Sequence, residues 1–334
     1  MSIERSDIKY YKSATFNDTV SNGGRRSNTQ ITTGSSNQLF PVITSAERAA
    51  GSSKLRKIFA QIESNQELPL IDAKVYIENP TPADDLVVFH AGTQVDAQSA
   101  LTGSERLYGC GQLNASVTAG ATEIVVAVED DTLVIFEDGD LIRISNKSNI
   151  DDVTAGTTEE FAVVSGAPVV GVGIVTLTLA AGLANDYSNS NSRVSSVYNP
   201  GTVETSFQDV LVSSASGAWD SVTNPLTLTS KSTIDQTWTL TVISATQVSV
   251  VGNTVGSLGN FSILSDIVPT NPAYSAPYFR LPVAGLSGSF AVNDTITFKT
   301  NPQSIPLWFK RIIPAGISSF TGNKFVFVVE GESE

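Results

Sequence analysis

The stretch Thr237-Trp-Thr-Leu-Thr-Val-Ile243 alternates apolar and hydroxyl side chains. In an extended chain successive side chains point to opposite faces, so Trp238, Leu240 and Val242 would share one face and the threonines the other. One apolar face and one polar face are typical of an antiparallel strand that covers a core on one side. This stretch therefore predicts an antiparallel β-sheet with one face toward water.

Short strand patterns of this kind fill the chain from Leu70 onward, and Gly, Asn, Asp and Pro separate them. Five or six strands within about 90 residues are the spacing of a small barrel or sandwich. We therefore predict a mainly β fold, with an N-terminal extended arm and one short helix before two or more small antiparallel β-barrel or β-sandwich domains. The strands lie near 73–78, 86–89, 123–128, 133–136, 141–144, 161–164, 175–179, 210–212, 226–229, 237–243, 247–251, 262–264, 295–299, 307–313 and 324–329.

The composition agrees with this class of fold. The chain has 334 residues, of which 41% are hydrophobic and only 16% charged. Disordered chains are highly charged and coiled coils are rich in Glu, Lys, Arg and Leu, so neither is indicated. The length allows two or three domains, each with its own core.

The only helix signal lies between residues 44 and 62. Thr44-Ser-Ala-Glu47 is a capping-box pattern, in which the two side chains satisfy free amides at the start of a helix. Leu55, Ile58, Phe59 and Ile62 then follow helical spacing, which predicts an amphipathic helix with a basic opposite face.

These patterns suggest four segments. Residues 1–66 form the arm and the amphipathic helix, and residues 67–112 form a β segment that packs with the C-terminal region. Residues 113–200 form a small barrel or sandwich, and residues 201–334 form a C-terminal β domain.

Charge is unevenly distributed along the chain. Residues 1–64 carry nine bases and five acids, a net of +4, whereas the remaining 270 residues carry 11 bases and 28 acids, a net of −17. A basic arm could dock onto the acidic body of a neighbouring copy, or it could simply be solvated. The predicted assembly contacts in this segment are Tyr10, Tyr11, Arg25, Arg26, Phe40, Lys54, Arg56 and Lys57.

Little in the sequence indicates a reaction. The single Cys110 and single His90 have no candidate partners, and the adjacent carboxylates, such as Asp130-Asp131, fall in turns where they point apart into water. Glu137-Asp-Gly-Asp140 could bind calcium but also reads as a solvated turn. We expect no enzyme, no cofactor, no metal and no nucleic acid partner, because an acidic body repels phosphate.

The N-terminus has charges where a signal peptide would be apolar, and no apolar run approaches a membrane span. We expect synthesis in the cytoplasm and no membrane partner.

A local echo links two parts of the chain. Phe136-Glu-Asp-Gly-Asp140-Leu-Ile-Arg-Ile144 aligns with Phe290-Ala-Val-Asn-Asp294-Thr-Ile-Thr-Phe298. Each places Gly or Asn where a turn needs a left-handed residue, and an alternating strand follows. The match predicts a common turn and leaves duplication open.

Two terminal stretches resemble a known family. The opening contains Ser6-Asp-Ile-Lys-Tyr-Tyr-Lys-Ser13, Ser21-Asn-Gly-Gly-Arg-Arg26, Leu39-Phe-Pro41 and Ala46-Glu-Arg-Ala-Ala-Gly51, followed by Arg56-Lys-Ile-Phe59. The end contains Leu307-Trp-Phe-Lys-Arg-Ile-Ile-Pro-Ala-Gly316, Gly322-Asn323 and Glu330-Gly-Glu-Ser333. Together they look like the ends of tail proteins of contractile-tailed, Mu-like bacteriophages.

The resemblance implies a structural protein of the virion tail, assembled in the host bacterial cytoplasm. It implies a homo-oligomeric ring, hexameric by the family's symmetry, of the ripcord type that links the tail tube to the sheath or baseplate hub. It gives no catalytic residue.

The alternative is a receptor- or glycan-binding adhesin of the tail. Trp219, Trp238 and Trp308, with Tyr274 and Tyr278, could offer flat faces for sugar stacking. The alternating pattern around Trp238 favours core packing instead.

Overall fold

The computed structural model describes residues 2–333 and confirms the mainly β class with one short helix, α1 (Ser45–Ala50). The first strands are β1 (Ile8–Thr15), β2 (Gly23–Ile31), β3 (Ser52–Ile62), β4 (Leu70–Asn79), β5 (Leu86–Ala91), β6 (Cys110–Leu113), β7 (Glu123–Ala127) and β8 (Leu141–Ser145). Next come β9 (Glu159–Val163), β10 (Val169–Gly171), β11 (Ile174–Thr178), β12 (Arg193–Ser196), β13 (Tyr198–Val203), β14 (Ser206–Ser213), β15 (Ala218–Trp219) and β16 (Gln236–Ser244). The last are β17 (Gln247–Gly252), β18 (Gly256–Ser262), β19 (Thr270–Asn271), β20 (Ala276–Pro277), β21 (Leu286–Ser287), β22 (Thr295–Asn301), β23 (Ser304–Ile313) and β24 (Val326–Glu332). Short 3-10 turns lie at Arg5–Asp7, Gln98–Ala100 and Val283–Gly285.

The N-terminal body, strands β1–β5, β13, β23 and β24, is a β-sandwich built from both ends of the chain. Its larger sheet has the order β2-β1-β3-β23-β5, and its smaller sheet has the order β13-β4-β24. One hydrophobic cluster takes residues from both sheets, among them Ile58, Val75 and Phe309. The two sheets therefore share one core.

The predicted amphipathic helix over 55–62 is wrong, because these residues belong to β3. This strand pairs with β1 on one side and along ten residues with β23 on the other. Its second half is buried on both faces, so the sequence shows no polar–apolar alternation there. Leu55, Ile58, Phe59 and Ile62 match helical spacing only by coincidence.

The capping box itself is confirmed. The Thr44 hydroxyl accepts a hydrogen bond from the Glu47 amide at 3.2 Å, and the Thr44 amide donates to Glu47 Oε2 at 2.7 Å. The helix ends after six residues at Gly51, whose φ of 76° an L side chain rarely adopts.

The segment expected to be an extended arm lies in the larger sheet and does not reach away from the body. Strands β1 and β2 form a hairpin, and β1 pairs with β3 from Ile8 opposite Ile62 to Lys12 opposite Ile58. The apolar residues that we expected to bury against another subunit, such as Tyr11 and Phe40, are buried within this chain.

Strands β6–β12 form the barrel. Their order is β10-β11-β7-β6-β12-β8-β9. The wall closes where Val164, just after β9, bridges Leu179, just after β11. The Ser165 amide donates to the Thr178 carbonyl and the Ala180 amide to the Val163 carbonyl, both at 2.8 Å. Closure removes most of the free strand edges of this sheet.

Strands β14–β22 form the third domain, whose main sheet has the order β14-β22-β16-β17-β18. The deciding stretch of the sequence is confirmed as β16, since Trp238, Leu240 and Val242 are buried and Thr237 is exposed. Loop residues cover this face, with Phe279 packed edge-on against Trp238 at 5.1 Å between ring centroids.

Domain boundaries differ from the predicted segment 201–334. The third domain ends with β22 at Asn301, and β23 and β24 return to the N-terminal body. Within the predicted segment 67–112, β5 pairs with β23 and β4 with β24. The third domain is therefore an insertion between strands of the body.

The sequence echo corresponds to one turn used twice. Gly139 and Asn293 both have positive φ, 83° and 76°. Asp140 Oδ2 accepts from the Glu137 amide at 2.6 Å, and Asp294 Oδ2 accepts from the Ala291 amide at 2.8 Å. The neighbouring strand comes later in the chain for β8 and earlier for β22, so a tandem duplication does not explain the match.

Candidate functional site

Lys57, a predicted assembly contact, is the most deeply buried charge of the N-terminal body. Its side chain has 0% exposure, and its Nζ donates to the Gly24 carbonyl at 2.7 Å and to Asp96 Oδ1 at 2.6 Å. The other carboxylate oxygen of Asp96 accepts from Trp308 Nε1 at 2.7 Å. A buried charge needs such partners, so Lys57 holds β3 to β2 and to the loop that carries Asp96.

The neighbouring bases also pair within the chain. Arg56 contacts Asp18 at 2.5 Å and donates to the Asn17 carbonyl at 2.8 Å. Lys54 pairs with Glu47 at 2.6 Å. Hydrogen bonds from Lys54 and from the Thr44 amide stabilise the ionised carboxylate and lower the pKa of Glu47 to about 2.

Tyr11 and Arg26 belong to a cluster that joins the body to the third domain. The Arg26 guanidinium lies between the rings of Tyr11 and Tyr274, 5.0 and 4.4 Å from their centroids. The Tyr11 hydroxyl donates to Glu63 at 2.7 Å, and the Tyr274 hydroxyl donates to the Ser27 carbonyl at 3.0 Å. Burial, and then the hydrogen bond to Glu63, raise the pKa of Tyr11.

Tyr10 and Phe40 pack in or against the body core. The Tyr10 ring meets Phe327 edge-on at 5.1 Å, and burial raises the pKa of Tyr10 to about 12. Phe40 is buried, with the Arg311 guanidinium 5.9 Å from its centroid. Both aromatic side chains thus serve the fold of their own chain.

Arg25 differs from the other predicted bases. Within residues 2–333 no carboxylate forms an ion pair with its half-buried guanidinium. It lines a cleft of about 160 Å³ between β2 and the third domain. The lining of this cleft, called the arginine cleft below, includes Arg25, Arg26, Gln94, Val255, Tyr274 and Tyr278.

The sequence analysis missed a surface on the barrel. The β10–β11 hairpin exposes Val169, Val170 and Val172 by 67%, 58% and 96% of their areas. Neighbouring strand residues point to opposite faces, so the exposure of both Val169 and Val170 means that neither face of β10 is covered, whereas Val175 and Leu177 of β11 are buried in the barrel core. The signal in the sequence is Pro168-Val-Val-Gly-Val-Gly173, three valines in a stretch with turn residues.

Carboxylates surround this hairpin. The Gly173 amide donates to Asp131 at 2.7 Å, and the Gly166 amide donates to Asp138 at 2.6 Å. Glu129 and Glu137 are exposed on the same loops. We call Val169, Val170 and Val172 with these four acids the valine knob.

The residues weighed for catalysis or ion binding have ordinary structural contacts. His90 is buried, with its ring stacked 6.2 Å from Trp308, and burial lowers its pKa. In the turn weighed for calcium, Asp140 contacts the Arg106 guanidinium. Within residues 2–333, the chain brings no three His, Cys, Asp or Glu side chains together in a metal-binding arrangement.

The aromatic faces considered for sugar stacking are largely inside. Trp219, Trp238 and Trp308 are buried, and Tyr278 is buried against Trp238 at 5.2 Å. Tyr274 is half-buried over Arg26. The tryptophans therefore contribute to cores.

Comparison with known proteins adds no relative. No protein-family model, curated protein or solved structure matches this chain. No helix within residues 2–333 combines the length and the apolar character that crossing a membrane requires. Two surfaces of the described residues, the arginine cleft and the valine knob, enter the functional argument below.

Proposed function

We propose that this chain is a structural component of a contractile phage tail, forming a homo-oligomeric ring at the junction of tube, sheath and baseplate. The ring would be hexameric by the symmetry that the family resemblance implies, and its place would be the assembled virion tail. Its role would be to connect neighbouring tail proteins through contacts made by its β-domains.

One observation carries the proposal. The stretches that resemble tail proteins lie more than 200 residues apart in the sequence, yet they pair in one sheet of the N-terminal body. Leu307 to Ile313 of the closing stretch lie opposite Ser52 to Ile58, which overlap the opening stretch. If this chain shared a structural domain with tail proteins, the sequence resemblance would be confined to one folded unit. The barrel and the third domain would then be insertions into that unit.

The chemistry of the chain supports a structural role. The three domains are small antiparallel units, each with a buried hydrophobic core, and many of their carboxylates lie in turns or in ion pairs. Rigid modules with complementary surfaces are what a closed ring requires, because each copy must meet two neighbours in fixed geometry.

Imaging of labelled particles tests the location. A short epitope inserted beside Val153, which is 93% exposed, can be labelled with gold without disturbing a core. We expect label in a single band at the tube, sheath and baseplate junction. Label at fibre tips, together with binding of the purified chain to host glycans, would contradict the proposal and favour the adhesin.

Native mass spectrometry tests the ring. We expect assembled material to have a mass of about six copies of the 35.2 kDa chain. An isolated chain that stays monomeric at every concentration and is absent from purified tails would overturn the structural proposal.

A further inference from the structure

We propose that the valine knob of one copy docks into the arginine cleft of a second copy of this chain. The inference rests on the proposed homo-oligomer and specifies its contact. Each copy would use its barrel toward one neighbour and the seam between its body and third domain toward the other.

The knob is an apolar surface held in a fixed position. The Val128 amide donates to the Gly173 carbonyl at 3.0 Å, and the Gly166 and Gly173 amides are bound by Asp138 and Asp131. A protruding hairpin fixed in this way keeps its valines in water, although burial of such side chains would be favourable. Exposed apolar groups rimmed by polar residues are the usual anatomy of an interaction site.

The cleft carries positive charge, whereas the knob carries negative charge. Arg25 has no ion pair within residues 2–333, and Arg26 Nη1 is buried without a hydrogen-bond partner. Arg26 already has partners in its own chain, since its guanidinium forms an ion pair with Glu63 at 3.7 Å and its Nη2 donates to the Lys231 carbonyl. Arg25 is therefore the cation of the cleft that a carboxylate of a second copy would meet. Tyr274, Tyr278 and Val255 add apolar surface beside these two cations.

Charge complementarity identifies a second copy as the occupant. Residues 113–196, which include the knob, carry twelve acids and three bases. The knob therefore presents valines beside carboxylates, of which Glu137 also pairs with Arg106 at 3.3 Å. The cleft presents aromatic and aliphatic walls beside Arg25, with Asp235 on the same lining. An arginine and a carboxylate of opposite charge would steer the two copies together and fix the register of the contact while the apolar surfaces are buried.

The geometry of such a contact leads to a ring. The knob and the cleft are different surfaces, so the contact is heterologous and every copy retains one free knob and one free cleft. A heterologous contact that closes gives a cyclic assembly, and one that does not close gives a filament. The proposed ring corresponds to the closed case.

Two variants of the full-length chain test the contact. The knob variant carries Val169→Ser, Val170→Ser and Val172→Ser, and the cleft variant carries Arg25→Glu. Matched controls are Val222→Ser, at a valine that is 90% exposed in the third domain, and Lys310→Glu, at a half-buried base of the body outside the cleft. Circular dichroism of each variant checks that the fold is retained.

We expect each variant alone to need at least about tenfold higher concentration than wild type for half-maximal assembly, measured by mass photometry. We expect both controls to assemble like wild type. An equimolar mixture of the two variants should give dimers and nothing larger, because only the intact knob of one can enter the intact cleft of the other.

Three results would overturn the contact: wild-type assembly by either variant alone, a mixture that stays monomeric, or equal loss in the controls. The particle-labelling experiment does not depend on this interface. A chain found in tails whose variants assemble normally would lose the knob-and-cleft contact and keep the proposed function.

Discussion

The basic residues of the N-terminal body and the acidic barrel look like complementary halves in the sequence, but the fold treats them differently. In the body, Lys57, Arg56 and Lys54 pair with Asp96, Asp18 and Glu47 of the same chain. On the barrel, the hairpin valines are exposed, and so are the nearby Glu129 and Glu137, although Glu137 also pairs with Arg106. A cluster of like charges in the sequence is therefore available to a partner only where the folded chain places no opposite charge beside it.

The two regions should also differ in what their residues stabilise, the fold of one chain or the assembly of several. Loss of the buried Lys57 should strongly destabilise the body, whereas loss of knob residues should weaken assembly with little effect on stability. Five substitutions, three of them with matched controls, test this contrast.

Lys57→Met should have the largest effect on folding. It removes an ammonium group from two carbonyl acceptors and from Asp96, and it leaves that carboxylate without its cation. Breaking a buried pair in this way lowers the free energy of unfolding by about 3–5 kcal/mol. Urea denaturation followed by tryptophan fluorescence measures the change.

The control is Lys54→Met, since its partners Glu47 and Asp18 lie nearer the surface. We expect a loss of no more than about 1 kcal/mol. Equal losses of unfolding free energy in the two variants would mean that the burial of Lys57 does not make its ion pair more important than that of Lys54.

Tyr11→Phe should have an intermediate effect. It deletes the hydroxyl that donates to Glu63 at 2.7 Å and keeps the ring against Arg26. A hydrogen bond to a charged group contributes about 1.5–3 kcal/mol, and the free energy of unfolding should fall by that amount. Tyr10→Phe is the matched control, with a change within about 0.5 kcal/mol, because the Tyr10 hydroxyl makes no hydrogen bond within residues 2–333. If both variants lose a comparable free energy of unfolding, the hydrogen bond from Tyr11 to Glu63 does not account for the effect.

Glu78→Gln probes the seam between the body and the barrel. Glu78 is buried 3.8 Å from Arg143 of β8, and burial raises its pKa. A carboxyl with a raised pKa contributes its full stability below the unfolded value of 4.5 and loses it as pH rises through the folded value. The free energy of unfolding of the variant should therefore match that of wild type below pH 4.5 and exceed it at pH 7.

Glu159→Gln should show the opposite trend. Burial opposes ionisation of Glu159, but contacts with Lys147 and Arg143 outweigh burial and lower its pKa. This variant should be less stable than wild type at pH 7, with a gap that shrinks as the pH falls toward the folded pKa. Thermal melts at pH 4 to 7 record both trends, and parallel curves for the two variants would refute the assignment.

Val172→Ser should have the smallest effect on folding. The side chain is 96% exposed at the hairpin tip, so its loss should change the free energy of unfolding by less than about 0.5 kcal/mol. The same substitution at Val175, buried on the next strand, should cost about 2–3 kcal/mol. A large loss at Val172 would show that the knob supports the barrel and is not reserved for a partner.

Local patterns were sufficient where a structure depends on neighbouring residues. The alternation of 237–243 gave β16, the capping box gave the start of α1, and the paired motifs at 136–144 and 290–298 gave the same turn twice. They failed at β3, where burial on both faces removes the alternation that identifies a strand. The candidate surfaces were predicted only in part, since Arg25 and Arg26 line the cleft while the knob was missed.

The sequence by itself determined that the chain is mainly β, where its turns fall and that its opening residues are basic. The tertiary structure alone decided that β3 pairs with β23 about 250 residues later, and that this pairing buries Lys57 against Asp96. Strand periodicity and turns depend on a few adjacent residues, whereas pairing across hundreds of residues depends on which surfaces close around one core. Only the tertiary structure shows that, within residues 2–333, Arg25 forms no ion pair and the three hairpin valines stay exposed.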